Sequence, residues 1–197
     1  MKLEPIVLEG SAVRLEPLSM SHHAALCGVS LGGELFRFFP FRMKTPDDLR
    51  GYIEAALRQQ ALGTALPFVT RERISGAVVG STSYLAIEHA HRRLEIGATW
   101  LAPKWQGTAL NTEAKLLLVS HAIERLGMNR VEFKTDARNG RSRAALLRIG
   151  AIEEGTFRSH MVMPDGHLRD SVYYSIVARD WPETKLRLEE RLAAGAR

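Results

Sequence analysis

Between Arg93 and Leu126 the chain changes its hydrophobic period across one short turn, and that change limits what it can fold into. "RLEIGATWL" alternates and is rich in β-branched and aromatic residues, as a strand requires, with Gly97 placed where a bulge fits. After Pro103, Lys104 and Trp105 the chain turns at Gln106, Gly107 and Thr108 and enters a helical pattern. Leu116, Val119, Ile123 and Leu126 mark one stripe, which Leu110, Ala114, Leu117 and Leu118 widen until the helix must be largely covered. Gly127 ends it, and "NRVEFKTD" is again a strand.

The flanking segments add strands before this unit and a strand, helix and hairpin after it. "AVRLEPL" reads as a half-buried opening strand, and Ser19 or Ser21 can cap a short helix through Cys27. Thr45, Pro46, Asp47 and Asp48 start a helix that Gly63 stops. "ALPFVTRER" and "AVVGSTSYLAI" form an antiparallel pair. "RSRAALLRIG" is a short helix, and "GTFRSHMVM" and "HLRDSVYYSIV" flank a turn at Pro164, Asp165 and Gly166. Asp180 and Glu183 are placed for a capping box on a last helix over 181–193. The expected class is α+β, a mixed, mostly antiparallel sheet of about seven strands with helices on both faces.

The 197 residues fit one domain over 1–197, and no composition break marks a linker. No apolar run is long enough for a spanning helix, and "MKLEPIVLEG" lacks the apolar region of a signal peptide, so a cytoplasmic address without a membrane partner is expected. Cys27 is the single cysteine and reads as a small apolar thiol; with no H-E-x-x-H spacing among the histidines, no metal is expected. The formal net charge of +5 favours anionic partners. The densest arginines, Arg138, Arg141, Arg143 and Arg148, have no interleaved aromatics, which disfavours nucleic acid.

The turn at Gln106–Thr108 raises the question of a ligand. The first N–H groups of a helix have no internal partner and lie at its positive end, so they can hold a phosphate. Gly107 lets the backbone approach, and Thr108 and Ala109 are small. Equally, Thr108 or Asn111 can be a plain N-cap. Neither the Walker pattern nor the dinucleotide glycine pattern is present.

The succession from "LEIGATWLAPKWQGTALNTEAK" through "DARNGRSRAALLRIGAIEEG" resembles the GNAT superfamily of N-acetyltransferases, in the branch similar to the RimJ and RimL ribosomal-protein N-terminal acetyltransferases. The likeness is specific from Arg93 to Gly155 and looser elsewhere. It implies a sheet with a splay and a turn that wraps the pyrophosphate of acetyl-CoA, through Gln106, Gly107, Thr108, Ala109, Leu110 and Asn111. Ala109 and Asn111 depart from the family pattern, which has Gly and then Gly or Ala at those positions. The resemblance further implies that Asn139 and Ser142 approach the pantetheine arm and sulfur, and that backbone N–H groups near Trp100 and Leu101 bind pantetheine and the thioester oxygen.

Acetyl transfer from a thioester to an amine needs a base, support for an oxyanion and a proton for the thiolate. Glu95 is the carboxylate nearest the opening and the candidate base, or else a solvated charge on the strand. Ser142 is the candidate acid, with Tyr173 and Tyr174 as competitors on opposite sides of their strand. Arg138, Arg141 and Arg143 are candidates for the adenosine phosphates. The function expected is acetyl-CoA-dependent N-acetylation of a primary amine, either a protein N-terminus or a small amine, by direct attack. The alternatives are a non-catalytic coenzyme A binder and a basic RNA- or ribosome-associated module. A homodimer is a further expectation.

Overall fold

The computed structural model describes residues 3–31 and 33–195, built around one eight-stranded sheet. The strands are β1 (Leu8–Glu9), β2 (Val13–Pro17), β3 (Leu66–Glu72), β4 (Val78–Glu88), β5 (Arg93–Leu101), β6 (Arg130–Asp136), β7 (Ile152–Val162) and β8 (Leu168–Val177). The helices are α1 (His23–Ser30), α2 (Pro46–Ala61), α3 (Ala109–Ser120), α4 (Gly140–Arg148) and α5 (Trp181–Gly195). The spatial order is β1-β2-β3-β4-β5-β6-β8-β7. All pairs are antiparallel except β5 with β6, where the crossover through α3 returns the chain in the same direction. The α+β class with helices on both faces is as read from the sequence; the strand expectation missed β1, whose two residues are too few to show alternation.

Alternation along the strands sorts two cores. Phe68, Leu94, Ile96, Leu101 and Phe133 face α3, α4 and α5, which contribute Leu110, Leu118, Leu146, Trp181 and Leu188. Val69, Val78 and Trp100 face the other way, against Leu26 of α1 and Leu49 and Ile53 of α2.

What positions the site is the short contact between β5 and β6. They pair only at Arg93 with Arg130, Leu94 with Val131 and Glu95 with Glu132. Beyond that rung both strands continue without pairing, and the sheet is forked. The cause lies in β5, whose register against β4 jumps between Gly97 opposite Ser83 and Trp100 opposite Ser81, with Ala98 in the left-handed region at φ 48. An extra residue of this kind bends its strand. The bulge anticipated at Gly97 is therefore at Ala98, and Gly97 is needed for a different reason given below.

Several element ends differ from the sequence reading. Ser19 starts a 3-10 turn over Met20–His22, Ser21 hydrogen-bonds Ser19 instead of capping, and α1 runs past Cys27 to Ser30. The long helix changes at His121–Arg125 to a wider π-type turn before Gly127. At α5 neither Asp180 nor Glu183 makes a capping hydrogen bond with its side chain among the described residues; Asp180 lies by Arg179 and Glu183 by Arg187. At α2 the expected signals all act: Thr45 accepts from the Asp48 N–H at 3.1 Å and Asp48 from the Thr45 N–H at 2.9 Å.

Candidate active site

One wall of the fork is β5 with the turn into α3. Gly107 has φ 79, a conformation that costs an L side chain about 1 kcal/mol or more. Thr108 is the N-cap: its hydroxyl donates to the Trp105 carbonyl at 2.8 Å and accepts from the Leu110 N–H at 3.4 Å. The N–H groups of Gly107, Thr108, Ala109 and Asn111 have no acceptor among the described residues, and Gly107, Thr108 and Ala109 are exposed. The N-cap thus leaves these donors open, at the positive end of α3, where an anion can be held. Leu110 is buried in the core, so only its backbone faces the cradle.

Gln106 acts as a brace. Its Nε2 donates to the Leu101 carbonyl at 2.9 Å, and its Oε1 accepts from Nη1 of Arg141 on α4, across the mouth of the fork. That contact also indicates which way Leu101 points. In the β4–β5 ladder Ala102 donates to Val79 at 2.7 Å, so alternation directs the Trp100 N–H toward β4 and the Leu101 N–H into the fork. Of the two residues, Leu101 is the one with a donor turned toward a ligand; Trp100 contributes its ring to the opposite core.

The other wall is β6 with the start of α4. Asn139 caps α4, its Oδ1 accepting from the Ser142 N–H at 3.1 Å, and the Ser142 hydroxyl has no partner among the described residues. The three arginines considered for phosphates are all engaged. Arg138 pairs with Asp136 at 2.9 Å, Arg141 holds Gln106, and Arg143 reaches Glu153 at 3.2 Å and the Tyr174 hydroxyl at 3.1 Å.

Glu95 occupies the last paired rung, at the vertex of the fork, on the face opposite α3. It is only 7% exposed, and its Oε2 accepts from Lys134 Nζ at 3.1 Å. Its Oε1 lies 2.6 Å from where a methyl group on Gly97 would sit, so glycine there makes room for the carboxylate. Lys134 is the register partner of Tyr173, whose ring centre is 5.8 Å from Nζ. A cavity of about 420 Å³ lined by Glu95, Lys134, Tyr173, Glu132, Arg130 and Phe157 opens on this face.

Tyr174 points the other way, into the α3 side. It donates to Glu153 at 2.7 Å, and burial together with that carboxylate raises its pKa above the usual tyrosine value. Tyr173 therefore shares a face with Glu95, while Ser142 lies on the side of α3 and α4. The two candidate catalytic residues meet only through the fork.

Two polar residues of α3 escaped the sequence reading. Glu113, 6% exposed, accepts from the N–H groups of Ser11, Ala12 and Val13, each at 2.7 Å, and from the Ser11 hydroxyl at 2.6 Å, fastening the helix to β2. Lys115, 4% exposed, donates to Thr99 Oγ1 at 2.7 Å beneath the bulge, and burial pushes its pKa down to about 7. Their signal was charge set inside an otherwise wide apolar stripe. Among the described residues no helix is long and apolar enough to cross a membrane, and no group of three or more His, Cys, Asp or Glu is placed to hold a metal ion.

A sheet forked between parallel strands, with free helix N–H groups at its mouth and a carboxylate at its vertex, is the architecture of the GNAT acetyltransferase class. The chain belongs to the GNAT acetyltransferase family, whose domain, described as "Acetyltransferase (GNAT) domain", matches residues 13–152. It is similar to YdaF of Bacillus subtilis (strain 168), provisionally named a ribosomal N-acetyltransferase, with 36% identity over 110 residues; these make up 56% of this chain and 59% of that protein, less than two thirds of its length. A solved acetyltransferase of provisional assignment from T. thermophilus is 38% identical, with TM-score 0.88, over 98% of this chain and 100% of that one. Mycobacterium smegmatis RimJ, solved in complex with CoA-disulfide, shares the fold with TM-score 0.77 at 24% identity, over 95% of this chain and 93% of that one.

Proposed function

We propose that this GNAT enzyme transfers acetyl from acetyl-CoA to a primary amine by direct attack, and that the amine is a polypeptide N-terminus. The observation that carries the reading is the fork itself, with the free N–H groups of the α3 turn at one end and Glu95 at the other. The name of YdaF, a ribosomal N-acetyltransferase, supports the choice of acceptor, and the CoA-disulfide bound to RimJ supports the donor.

In this reading the N–H groups of Gly107, Thr108, Ala109 and Asn111 hold the pyrophosphate. A methyl at Ala109 adds little bulk at an exposed position, and the Asn111 backbone donor is retained whatever its side chain does. Asn139 and Ser142 flank the pantetheine arm on the α4 side. The Leu101 N–H supports the oxygen that gains charge when the amine attacks the thioester carbon. Glu95, reached through the cavity on its own face, takes a proton from the acceptor ammonium, directly or through water, and the neutral amine then attacks the thioester carbon. Ser142, on the donor side, returns a proton to the departing thiolate; Tyr173 faces the acceptor side and is placed to orient the amine.

Coenzyme A release measured against a panel of N-terminal peptides, polyamines and aminoglycosides tests this. Turnover with peptides supports it; thermal stabilisation by acetyl-CoA with no turnover of any amine would leave a coenzyme A binder without activity.

A further inference from the structure

Arg169 opens β8 on the same sheet face as Ser171 and Tyr173, and therefore on the Glu95 face. It is 5% exposed, and no carboxylate among the described residues lies within 4.0 Å of it. Its one hydrogen bond runs from Nη1 to the Phe38 carbonyl at 3.3 Å. Nε is buried without an acceptor; Nη2 beside it also lacks one, yet is not sealed from solvent. A guanidinium taken out of water with no carboxylate in contact is costly; Asp136 and Glu95 act on it only from a distance, and Nη2, on its Nε–Nη2 edge, is the donor left open to a carboxylate.

The nearby acids do not fill that edge. Asp136 is engaged by Arg138 at 2.9 Å, and Glu95 by Lys134 at 3.1 Å. His160 lies on β7 alongside, where burial first, then Lys134 and Arg169, hold its pKa below the usual histidine value against an opposing pull from Glu95. From Tyr173 to Arg169 is four residues of strand, about 13 Å, which an extended acceptor covers in about four residues.

We propose that Nη2 of Arg169 docks a carboxylate of the acceptor, an aspartate or glutamate within about the first four residues of a polypeptide whose N-terminal amine lies at the fork. This rests on the proposed transfer to polypeptide N-termini. It makes Arg169 a specificity residue and the enzyme selective for acidic N-terminal sequences.

The test is kcat/KM, read by coenzyme A release, for a neutral peptide and its derivatives with glutamate or lysine at the second, third or fourth position, and for free amino acids. Wild type, Arg169→Met and Arg169→Lys are compared. With the wild type, glutamate at one of these positions is expected to raise kcat/KM about ten- to hundredfold, chiefly through KM, and lysine to lower it. Arg169→Met should erase the difference and Arg169→Lys restore part of it. Equal use of acidic and neutral peptides by the wild type overturns the proposal, as does a preference that survives in Arg169→Met. If free amino acids outrun every peptide, the carboxylate is an α-carboxylate and the peptide form is wrong. If small amines are acetylated and no peptide is, the polypeptide reading fails and this inference with it; activity on neutral peptides alone defeats only the inference. Should Arg169→Met not fold, judged by loss of the acetyl-CoA melting shift, the wild-type ranking and Arg169→Lys decide.

Discussion

Glu95 and Lys134 meet across the fork, Oε2 to Nζ at 3.1 Å, one residue from the end of β5–β6 pairing and the other just beyond it. The ion pair spans the vertex where the strands part, and Glu95 Oε1 remains free of Lys134. Glu95→Gln keeps the size and hydrogen-bonding reach of the side chain but removes the proposed base. It is expected to lower kcat by roughly a hundredfold or more with the acetyl-CoA melting shift unchanged. A variant that loses cofactor binding instead would show that Glu95 is structural.

Gly97→Ala tests the same carboxylate from its other side. The added methyl would lie 2.6 Å from Glu95 Oε1 and 2.8 Å from Leu85 Cδ1, so one of them must move. A fall in kcat larger than any fall in thermal stability is expected, with activity and melting curves recorded on the same preparation.

Glu113→Ala leaves three backbone donors at the start of β2 without their acceptor. The expected destabilisation is about 2–4 kcal/mol, read from the urea midpoint, because unmet buried donors cost more than a lost bond between exposed groups. Glu113→Gln, which keeps an acceptor oxygen, should cost less.

Lys115 gives stability a particular pH dependence. Its folded pKa is about 7, below the ordinary lysine value of 10.5, so between those values the unfolded chain binds the extra proton and stability rises with pH. Below about 7 both states are protonated and the penalty is complete. Relative to Lys115→Met, the wild type should gain roughly 2.7 kcal/mol between pH 6 and pH 9, measured from paired urea curves. Parallel curves for the two proteins would contradict the burial of an unpaired lysine.

The strand, turn and helix from Arg93 to Gly127 were legible because each has its own period and a glycine stop, and Gly107 and Gly127 do carry the positive φ those stops require. The fork was not legible from alternation: it depends on Ala98, an ordinary residue in an unusual conformation, and only the family resemblance supplied a splay. Side-chain destinations were the least accessible. Gln106 braces Arg141 and the Leu101 carbonyl and Asn139 caps α4, contacts that depend on neighbours the sequence alone does not place. The choice between Tyr173 and Tyr174 needed the register of β8 against β6, which a sequence without that pairing does not contain.

The most direct test of the account is calorimetric titration of the folded protein with acetyl-CoA, alongside a Gly107→Val variant. The wild type is expected to bind one equivalent per chain, and the variant, whose branched side chain cannot hold φ 79 without strain, to bind at least tenfold more weakly. No heat with the wild type at millimolar acetyl-CoA, or equal affinity in the two proteins, would contradict the claim that the turn before α3 holds the cofactor.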